Sequence, residues 1–421
     1  MAFRTHQVKE YRLLEGRLLL GATAAKDIVA IEGSVFGGPN FFPPTLENIP
    51  ALAAELLDAG TKHKSKEAIR ESLANRGIGL SFRSDDDRTY FSGQCFPEDL
   101  PFLLSIVSEC LSEASFPVSE VSAAKIREVG SLAQSRTETR IQAGIAFSRL
   151  IFDPRHVNYM HTTEEDEEQV KKIERSSLVQ FKNTLGRGGL VLAITGDINE
   201  KQAIAAAERA FGKLSAGTAV APEKKANRKQ GAANETLIPI KDKANVDIFL
   251  GASLPLRKLD PLYHPLFVVV QMLGGSFAGH LMQTVRERDG LTYGVYASLS
   301  GFDAGADGAL QIWATFSPDL YLRGVSALRQ EVHTFFAREI TQESLAKKKE
   351  GITGAYLVGL STAHGLAQTI HQFAIDGRHI SYLSDFPRLI QEITLEEAKT
   401  AAKLVPLEKL SLAAAGTFPK K

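Results

Sequence analysis

The sequence predicts an α+β protein of two tandem homologous domains, each a mixed, mostly antiparallel sheet with helices packed on one face. Three observations support this fold class. A length of 421 residues is long for one domain and corresponds to two or three. Strand patterns follow one another as often as they alternate with helix patterns, which favours a mixed sheet over a doubly wound parallel one. Short motifs of the first half also recur in the second half.

The first half contains a succession of alternating and helical apolar periods. In chain order they predict a strand at 27–36, helices at 46–59 and 65–76, strands near 78–82 and 89–95, a helix that begins at Pro97, and a strand at 190–195. Gly77, directly after the second helix, is a typical C-terminal cap. The last strand ends in Gly196-Asp197.

Two segments of this first half are repeated 220 residues later. Residues 96–100 read Phe-Pro-Glu-Asp-Leu, and residues 316–320 read Phe-Ser-Pro-Asp-Leu. The closing strand at 190–196 is similarly matched by 410–416, which also ends in glycine. Two matches at one spacing indicate a tandem duplication. The alternative is a pair of unrelated α/β domains that share common strand chemistry.

The predicted domain boundaries follow from a change in composition. Residues 215–234 are rich in Ala, Gly, Lys and Asn and have no apolar period, which is typical of an exposed linker. The strand pattern that begins at Val246 then resembles the strand at 27–36. The sequence therefore predicts domains at 1–214 and 235–421.

Charge and composition exclude several classes of function. The chain has 49 basic and 49 acidic residues, so it lacks the basic field that nucleic acid or an anionic membrane requires of a partner. Its longest apolar run, 266–273, is far shorter than the roughly 18 residues of a membrane span. Cys95 and Cys110 are expected to be buried small apolar residues, and the sequence leaves open whether they pair.

The densest motif lies at 273–295. A Gly-rich turn (residues 274–279) leads into a short predicted helix that carries Arg286, and Asp289-Gly290 ends this helix before a strand that carries Tyr293. A tyrosine hydroxyl can stabilise the oxyanion that forms in peptide hydrolysis, and an arginine fork can hold substrate carbonyls. By itself, Arg286 would more often be a solvated charge on a helix, and Tyr293 would more often be a half-buried strand residue.

This motif resembles the C-terminal halves of the pitrilysin/insulinase family of zinc peptidases, in which an Arg and a Tyr seven residues apart act on the substrate opposite the zinc. Arg286 and Tyr293 have this spacing. The family also consists of tandem α+β domains, so the resemblance covers nearly the whole chain. Gly274, Gly275 and His280 are weaker candidates for contact with substrate or partner, and a surface position is the simpler expectation for His280.

The zinc half of the family's site is missing from the first domain. Aligned on Gly60-Thr61, the positions of the two histidines and the general base in the family's His-x-x-Glu-His motif hold Ala51, Glu55 and Ala54, respectively. The third ligand is expected near residues 131–132, and the closest acids, Glu128 and Glu138, do not fit the register. We therefore predict no metal in this chain.

The resemblance implies half of a split, clamshell-shaped enzyme. We expect a non-catalytic subunit of a bacterial heterodimeric zinc metallopeptidase, with no activity alone, that lends Arg286 and Tyr293 to a homologous zinc-bearing partner and binds peptide substrate. The alternative is a structural or assembly protein of the same fold with no catalytic role. A third reading is a complete peptidase whose unorthodox metal site uses other histidines, such as His156 and His161 or His364, His371 and His379.

The compartment is a separate expectation. The first residues contain no apolar signal segment, as in a cytoplasmic protein or in an exported protein whose signal is replaced by a start Met. Heterodimeric bacterial relatives are often exported. The resemblance therefore favours the periplasm, with the cytoplasm as the alternative.

Overall fold

A computed structural model describes residues 8–42, 46–85, 87–217, 233–302 and 305–419. The chain forms two compact units, and neither is continuous in sequence. The first unit comprises Met1–Gly130, Asp166–Glu223 and Tyr356–Phe386, and the second comprises Ser131–Glu165, Lys224–Ala355 and Pro387–Lys421.

Each unit contains one mixed sheet. The strands are β1 (Val8–Leu13), β2 (Gly16–Ala22), β3 (Val29–Phe36), β4 (Gly79–Asp85), β5 (Arg88–Cys95), β6 (Val191–Gly196), β7 (Glu235–Pro239), β8 (Val246–Ser253), β9 (Gly294–Ser300), β10 (Ala309–Phe316) and β11 (Ser411–Gly416). Their order is β1-β2-β6-β3-β5-β4 in the first sheet and β7-β11-β8-β10-β9 in the second. Only the β2–β6 and β7–β11 pairs are parallel.

Helices make up most of the remaining described chain. They are α1 (Asn48–Glu55), α2 (Lys66–Ala74), α3 (Leu100–Glu113), α4 (Val118–Ser135), α5 (Thr139–Ile151), α6 (Thr163–Lys172), α7 (Arg175–Thr184), α8 (Glu200–Phe211), α9 (Tyr263–Gly274), α10 (Tyr321–Thr334), α11 (Gln342–Gly359), α12 (Ala363–Ile375), α13 (Tyr382–Glu392) and α14 (Leu395–Ala402). Two π-helical segments lie at Met282–Arg288 and Phe335–Glu339. No described helix is both long enough and apolar enough to cross a bilayer.

The main core of the first unit lies on one face of its sheet. Strand residues such as Leu18, Ile31 and Phe91 are buried there with helical residues such as Leu104 and Phe211. Alternation along β2 and β3 sends every second side chain to this face. This part of the α+β prediction is confirmed.

The opposite face of the first sheet is also covered, which corrects the prediction of helices on one face only. Leu19 and Ala30 pack there against Leu366 and Ile370 of α12, a helix from the second half of the sequence. Because β2 and β3 carry apolar residues on both faces, a sheet with only one helical layer would leave Leu19 and Ala30 in water.

The second sheet is likewise covered by a helix from the other half of the sequence, α5. Phe147 of α5, from the first half of the sequence, stacks on Phe249 of β8 with ring centroids 6.0 Å apart. Buried Asp247 accepts hydrogen bonds from Thr139 Oγ1 of α5 and, at 2.8 Å, from Trp313 Nε1. The predicted boundaries 1–214 and 235–421 thus mark sequence halves, whereas the compact units exchange segments between them. Most of the predicted linker, 218–232, lies outside the described residues.

The two sheets are equivalent in register at their centres. Gly196 pairs with Val29 in the first sheet, and Gly416 pairs with Val246 in the second. Val29 also pairs with Cys95, whereas Val246 pairs with Phe316. The predicted equivalence of Gly196 and Gly416 therefore agrees with the register, but Phe316 corresponds to Cys95 and not to Phe96. Phe96 lies one residue beyond its strand and is 49% exposed, whereas Phe316 is buried.

Candidate functional site

Arg286 lies in the π-helical segment Met282–Arg288. The wider turn is visible in the hydrogen bond from Asp289 N to Thr284 O, which spans five residues and measures 3.0 Å. Gly290 ends the segment with a φ of +62°, a conformation that favours glycine. The predicted short helix is present at this place, but it is of the rare π type, which is frequent at functional sites.

The Arg286 side chain is about one-third exposed. Its guanidinium lies 5.7 Å from the ring centroid of Phe277, in the Gly-rich turn, and its Nε lies 3.5 Å from Glu287 Oε1. Arg288, by contrast, binds Asp289 at 2.7 Å and Glu331 at 2.9 Å. Of these two arginines, Arg288 stabilises the local fold, and Arg286 donates no hydrogen bond to another described residue.

Tyr293 is the most exposed large aromatic side chain of the described residues, at 89%. It lies one residue before β9 rather than within the strand as predicted. Thr292 anchors this position, since its hydroxyl binds the carbonyl of Thr315 and accepts the Gly294 N–H at 3.1 Å. Because β9 pairs only with β10 in the described chain, Tyr293 stands at the open edge of its sheet with its hydroxyl unengaged.

The weaker candidates, Gly274, Gly275 and His280, are in close contact with other residues of their unit. A Cβ on Gly274 would lie 2.8 Å from the backbone nitrogen of Ala297, so this glycine allows α9 to approach β9. His280 is not a surface residue as expected. Its Nε2 lies 2.9 Å from Glu331 Oε2, and its ring packs at 5.5 Å from that of Phe335. A Cβ on Gly275 would similarly overlap the side chain of Gln271.

The three degenerate zinc positions lie on α1 of the first unit. Ala51 and Glu55 share an exposed face of this helix, as positions i and i+4 do, and Ala54 is buried. The Glu55 carboxylate accepts a hydrogen bond from the Arg127 guanidinium at 2.6 Å. The one carboxylate at these positions is therefore already paired with a cation.

A zinc ion does not fit this donor set. Ala51 and Ala54 offer only methyl groups, and the guanidinium of Arg127 lies where a cation would be needed. Glu128 is the acid near Glu55, and burial, together with the charges of Glu55 and Asp166, raises its pKa. In the described ranges of the chain, no group of three or more His, Cys, Asp or Glu side chains could hold a metal ion.

The buried histidines belong to the protein interior. His371 Nε2 lies 2.9 Å from Ser34 Oγ inside the first unit, and burial, with the charges of Arg88 and Arg83, lowers its pKa to about 3. In the second unit, His156 stacks on Phe152 with ring centroids 4.3 Å apart. Neither arrangement is a metal centre. Cys95 and Cys110 are free and buried, as expected, and burial raises the pKa of both thiols.

Comparison with known proteins shows which family part of this chain resembles. The pattern described as "Peptidase M16 inactive domain" matches residues 172–352. The "Non-peptidase homolog YmxG" of Helicobacter pylori is 21% identical over 364 residues, which cover 86% of this chain and 82% of that protein. Residues 172–352 are thus similar to an M16 domain of the inactive type. The resemblance predicted from the Arg286 motif is thus confirmed.

Solved structures show the same fold. The peptidase M16 inactive domain from Pseudomonas fluorescens superposes with a TM-score of 0.89 at 20% identity, over 98% of both chains. The periplasmic protease PqqL from Escherichia coli superposes with a TM-score of 0.78 at 15% identity, over 98% of this chain and 47% of PqqL. The chain therefore has the α+β fold predicted from its sequence.

Sequence reasoning missed Phe277. This aromatic residue is 76% exposed in the Gly-rich turn and lies beside the Arg286 guanidinium. An aromatic side chain among glycine, serine and alanine has no local apolar period to bury it, and this is the signal that could have identified it. Arg286 and Phe277 are brought together because the π-helical segment follows the turn directly.

Proposed function

We propose that this chain is the non-catalytic subunit of a heterodimeric zinc metallopeptidase. In this proposal it has no peptidase activity alone and supplies Arg286 and Tyr293 to the active site of a homologous, zinc-bearing partner. One contrast carries the proposal: Tyr293 is exposed and Arg286 is about one-third exposed, with a long ion pair of 3.5 Å to Glu287, whereas Ala51, Ala54 and Glu55 provide no zinc site.

The chemistry of the pair suits peptide hydrolysis. Attack on a peptide carbonyl places negative charge on its oxygen, and the Tyr293 hydroxyl can donate a hydrogen bond to that oxygen as the charge develops. Arg286 can hold substrate carbonyls with its planar fork of N–H donors, and its position over Phe277 limits the conformations it samples. Zinc, as a Lewis acid, would be supplied by the partner.

The comparisons support the subunit proposal. The matched pattern is that of an inactive domain, and the chain corresponds to about half the length of the protease PqqL. A half-length chain with an incomplete site suits an enzyme whose two halves are separate polypeptides. We also propose a periplasmic location, for which the description of PqqL as a periplasmic protease is the support. Cell fractionation of the native gene product, with a cytoplasmic result as the contrary outcome, tests this location.

The first experiment compares the isolated chain with the reconstituted pair. The chain is purified alone and after co-expression with an M16 homologue that retains His-x-x-Glu-His, and zinc content, oligomeric state and peptidase activity are measured for each. We expect no zinc and no activity for the chain alone, and a zinc-containing, active heterodimer after co-expression. Stoichiometric zinc with chelator-sensitive activity in the isolated chain would contradict the proposal.

The second experiment tests Tyr293 directly. Tyr293→Phe removes one oxyanion donor, so turnover of the pair should fall by about a hundred- to a thousandfold while assembly and zinc content stay unchanged. Tyr296→Phe, on the neighbouring strand β9 and 43% exposed, is the matched control and should retain activity. Near-wild-type turnover with Tyr293→Phe in an intact heterodimer would favour the structural or assembly alternative.

The third experiment uses the arginine. Arg286→Ala should lower kcat/KM by roughly ten- to a hundredfold, with changes in both KM and kcat, because an arginine contact stabilises bound substrate as well as the transition state. Arg257→Ala, at an exposed position of the same unit, is the control. An unchanged kcat/KM for Arg286→Ala would remove this residue from the proposed site.

A further inference from the structure

The second unit contains a cavity of about 670 Å³ that the proposed function does not use. It lies between the Gly-rich turn and helix α11, and its lining includes Met272, Ser276, Phe335, Ser344, Lys348 and Ile352. Its volume falls within the roughly 300–1,000 Å³ of ordinary small-molecule sites. It is therefore large enough for a ligand of its own.

One part of the cavity is apolar. Met272, near the end of α9, and Phe335 are buried, and Ile352 of α11 is half-buried beside them. Ser344, Lys348 and Ile352 are spaced by four residues, so they present one face of α11 to the cavity. This side of the site can bury an alkyl or a large apolar side chain.

The polar part of the cavity is centred on Lys348. Its Nζ donates a hydrogen bond to Ser276 Oγ at 3.0 Å. Burial, together with the charge of Lys347, lowers the pKa of Lys348. No described carboxylate forms an ion pair with this ammonium, although Glu339 and Glu343 line the same cavity. A partly desolvated cation without a counter-ion is stabilised by a bound anion.

The next residue shows that this arrangement is specific to Lys348. Lys349 is buried, and its Nζ binds the carbonyl oxygens of Gln391 and Ile393 at 2.6 and 2.8 Å. Lys349 thus stabilises the fold through two backbone carbonyls, whereas among the described residues the hydrogen-bond partner of Lys348 is a neutral hydroxyl.

Two π-helical segments border the cavity. Phe335 and Glu339, which begin and end the segment Phe335–Glu339, line it, and so does His280, two residues before the segment Met282–Arg288. A π-helix costs regular hydrogen bonding and is frequently found at functional sites. Two such segments around one cavity favour a binding role.

We propose that this cavity binds a carboxylate attached to an apolar group. The carboxylate would accept hydrogen bonds from Lys348 Nζ and Ser276 Oγ, and the apolar group would pack against Met272, Phe335 and Ile352. A fatty acid and the C-terminus of an apolar peptide share this chemistry. The inference concerns the isolated chain and does not depend on a partner subunit.

The test is calorimetric titration of the full chain with octanoate and with acetyl-Leu-Leu-Leu that carries a free C-terminus. Octan-1-ol and the C-terminal amide of the peptide are the uncharged counterparts. We expect saturable one-site binding of at least one acid, and binding weaker by roughly ten- to a hundredfold for its uncharged counterpart. Binding of octanoate alone identifies a fatty acid site, and binding of the peptide alone identifies a peptide C-terminus.

Two variants assign the binding to this cavity. Lys348→Met keeps most of the alkyl stem and should weaken binding of the acid by roughly ten- to a hundredfold, whereas the exposed Lys403→Met should leave it unchanged. Ser276→Ala, at an exposed position, should weaken binding severalfold and does not depend on how well Lys348→Met folds. No saturable binding of either acid, or equal affinity in both cavity variants and the wild type, would overturn the proposal.

Discussion

In the first unit Gly196 faces Val29 across the β6–β3 pair, and in the second unit Gly416 faces Val246 across β11–β8. The five strands β2-β6-β3-β5-β4 and β7-β11-β8-β10-β9 also have the same order and the same directions. However, the connection between β3 and the edge strand β4 differs from the connection between β8 and the edge strand β9. In the first unit it forms α1, with Glu55 paired to Arg127, and α2. In the second unit it forms α9, the Gly-rich turn and the π-helical segment with Arg286.

This contrast separates the residues that stabilise the fold from the residues that carry the candidate site. Residues that adopt a special backbone conformation or bind backbone carbonyls are present in both halves. The residues on the connection to the edge strand differ between the halves. A lysine illustrates the first group: Lys125 of α4 binds the carbonyls of Lys171 and Ile173, just as Lys349 of α11 binds those of Gln391 and Ile393. The divergent connection is where a function specific to one half can arise.

The largest expected effect tests the two strand-end glycines. A Cβ would lie 2.1 Å from the Ile28 carbonyl oxygen at Gly196 and 2.4 Å from that of Asn245 at Gly416, and φ is +123° and +149°. Gly196→Ala and Gly416→Ala should each lower the free energy of unfolding by about 3–5 kcal/mol. Urea denaturation measures this, with Gly79→Ala, which meets open space, as the control. A large loss of unfolding free energy at one glycine and a negligible loss at the other would show that Gly196 and Gly416 are not equivalent.

The next effect tests the two lysines. Lys349→Met should cost about 2–3 kcal/mol of unfolding free energy, because two buried carbonyls lose charge-assisted hydrogen bonds. Lys125→Met should cost less, about 1–2 kcal/mol, since water can reach the carbonyls around this more exposed side chain. The exposed Lys403→Met is the control, and a larger loss for Lys125→Met than for Lys349→Met would reverse the comparison.

A pH-dependent effect distinguishes the first unit, which contains His371. The folded pKa of about 3 lies below the ordinary value of about 6.5, so between these values the unfolded state binds a proton that the folded state does not. Stability should therefore fall as the pH drops below 6.5, by about 2 kcal/mol at pH 5.

His371→Gln should remove this part of the pH dependence, and the exposed His333→Gln should not. Urea denaturation at pH 7, 6 and 5 provides the comparison. If the free energy of unfolding falls equally with pH in the wild type and in His371→Gln, then His371 is not the source of the pH dependence.

The smallest effect tests two helical glycines. Gly130 of α4 and Gly354 of α11 occupy corresponding places in helices of 18 residues, and a Cβ at either position would meet no atom within 4 Å. Gly130→Ala and Gly354→Ala should each raise the free energy of unfolding by about 0.5–1 kcal/mol. Gly274→Ala, which would press on Ala297, should destabilise the protein instead. A thermal melt that ranks the three variants otherwise would show that local space does not decide these costs.

The candidate site could be predicted only in part. The spacing of Arg286 and Tyr293 is a sequence property, and so is the absence of ligands at Ala51 and Ala54. The salt bridge between Glu55 and Arg127 could not be predicted, because it joins two helices 72 residues apart. The cavity beside Lys348 could not be predicted either, because its lining residues come from separate segments of the sequence and local patterns do not show how these segments pack.

The amino-acid sequence by itself determined the strands β3 to β6, β8 and β11, the helices α1 to α3 and the repeat, because these depend on side chains two to four residues apart and on glycines at turns. Only the tertiary structure decided which helix covers which sheet. The contacts that place α12 on the first sheet include Ser34 with His371, 337 residues apart, and those that place α5 on the second include Thr139 with Asp247, 108 residues apart. Both helices bury an apolar face, and the spacing of its residues does not state which sheet covers it. Their exchange is therefore decided by burial across the whole fold, which local periodicity does not encode.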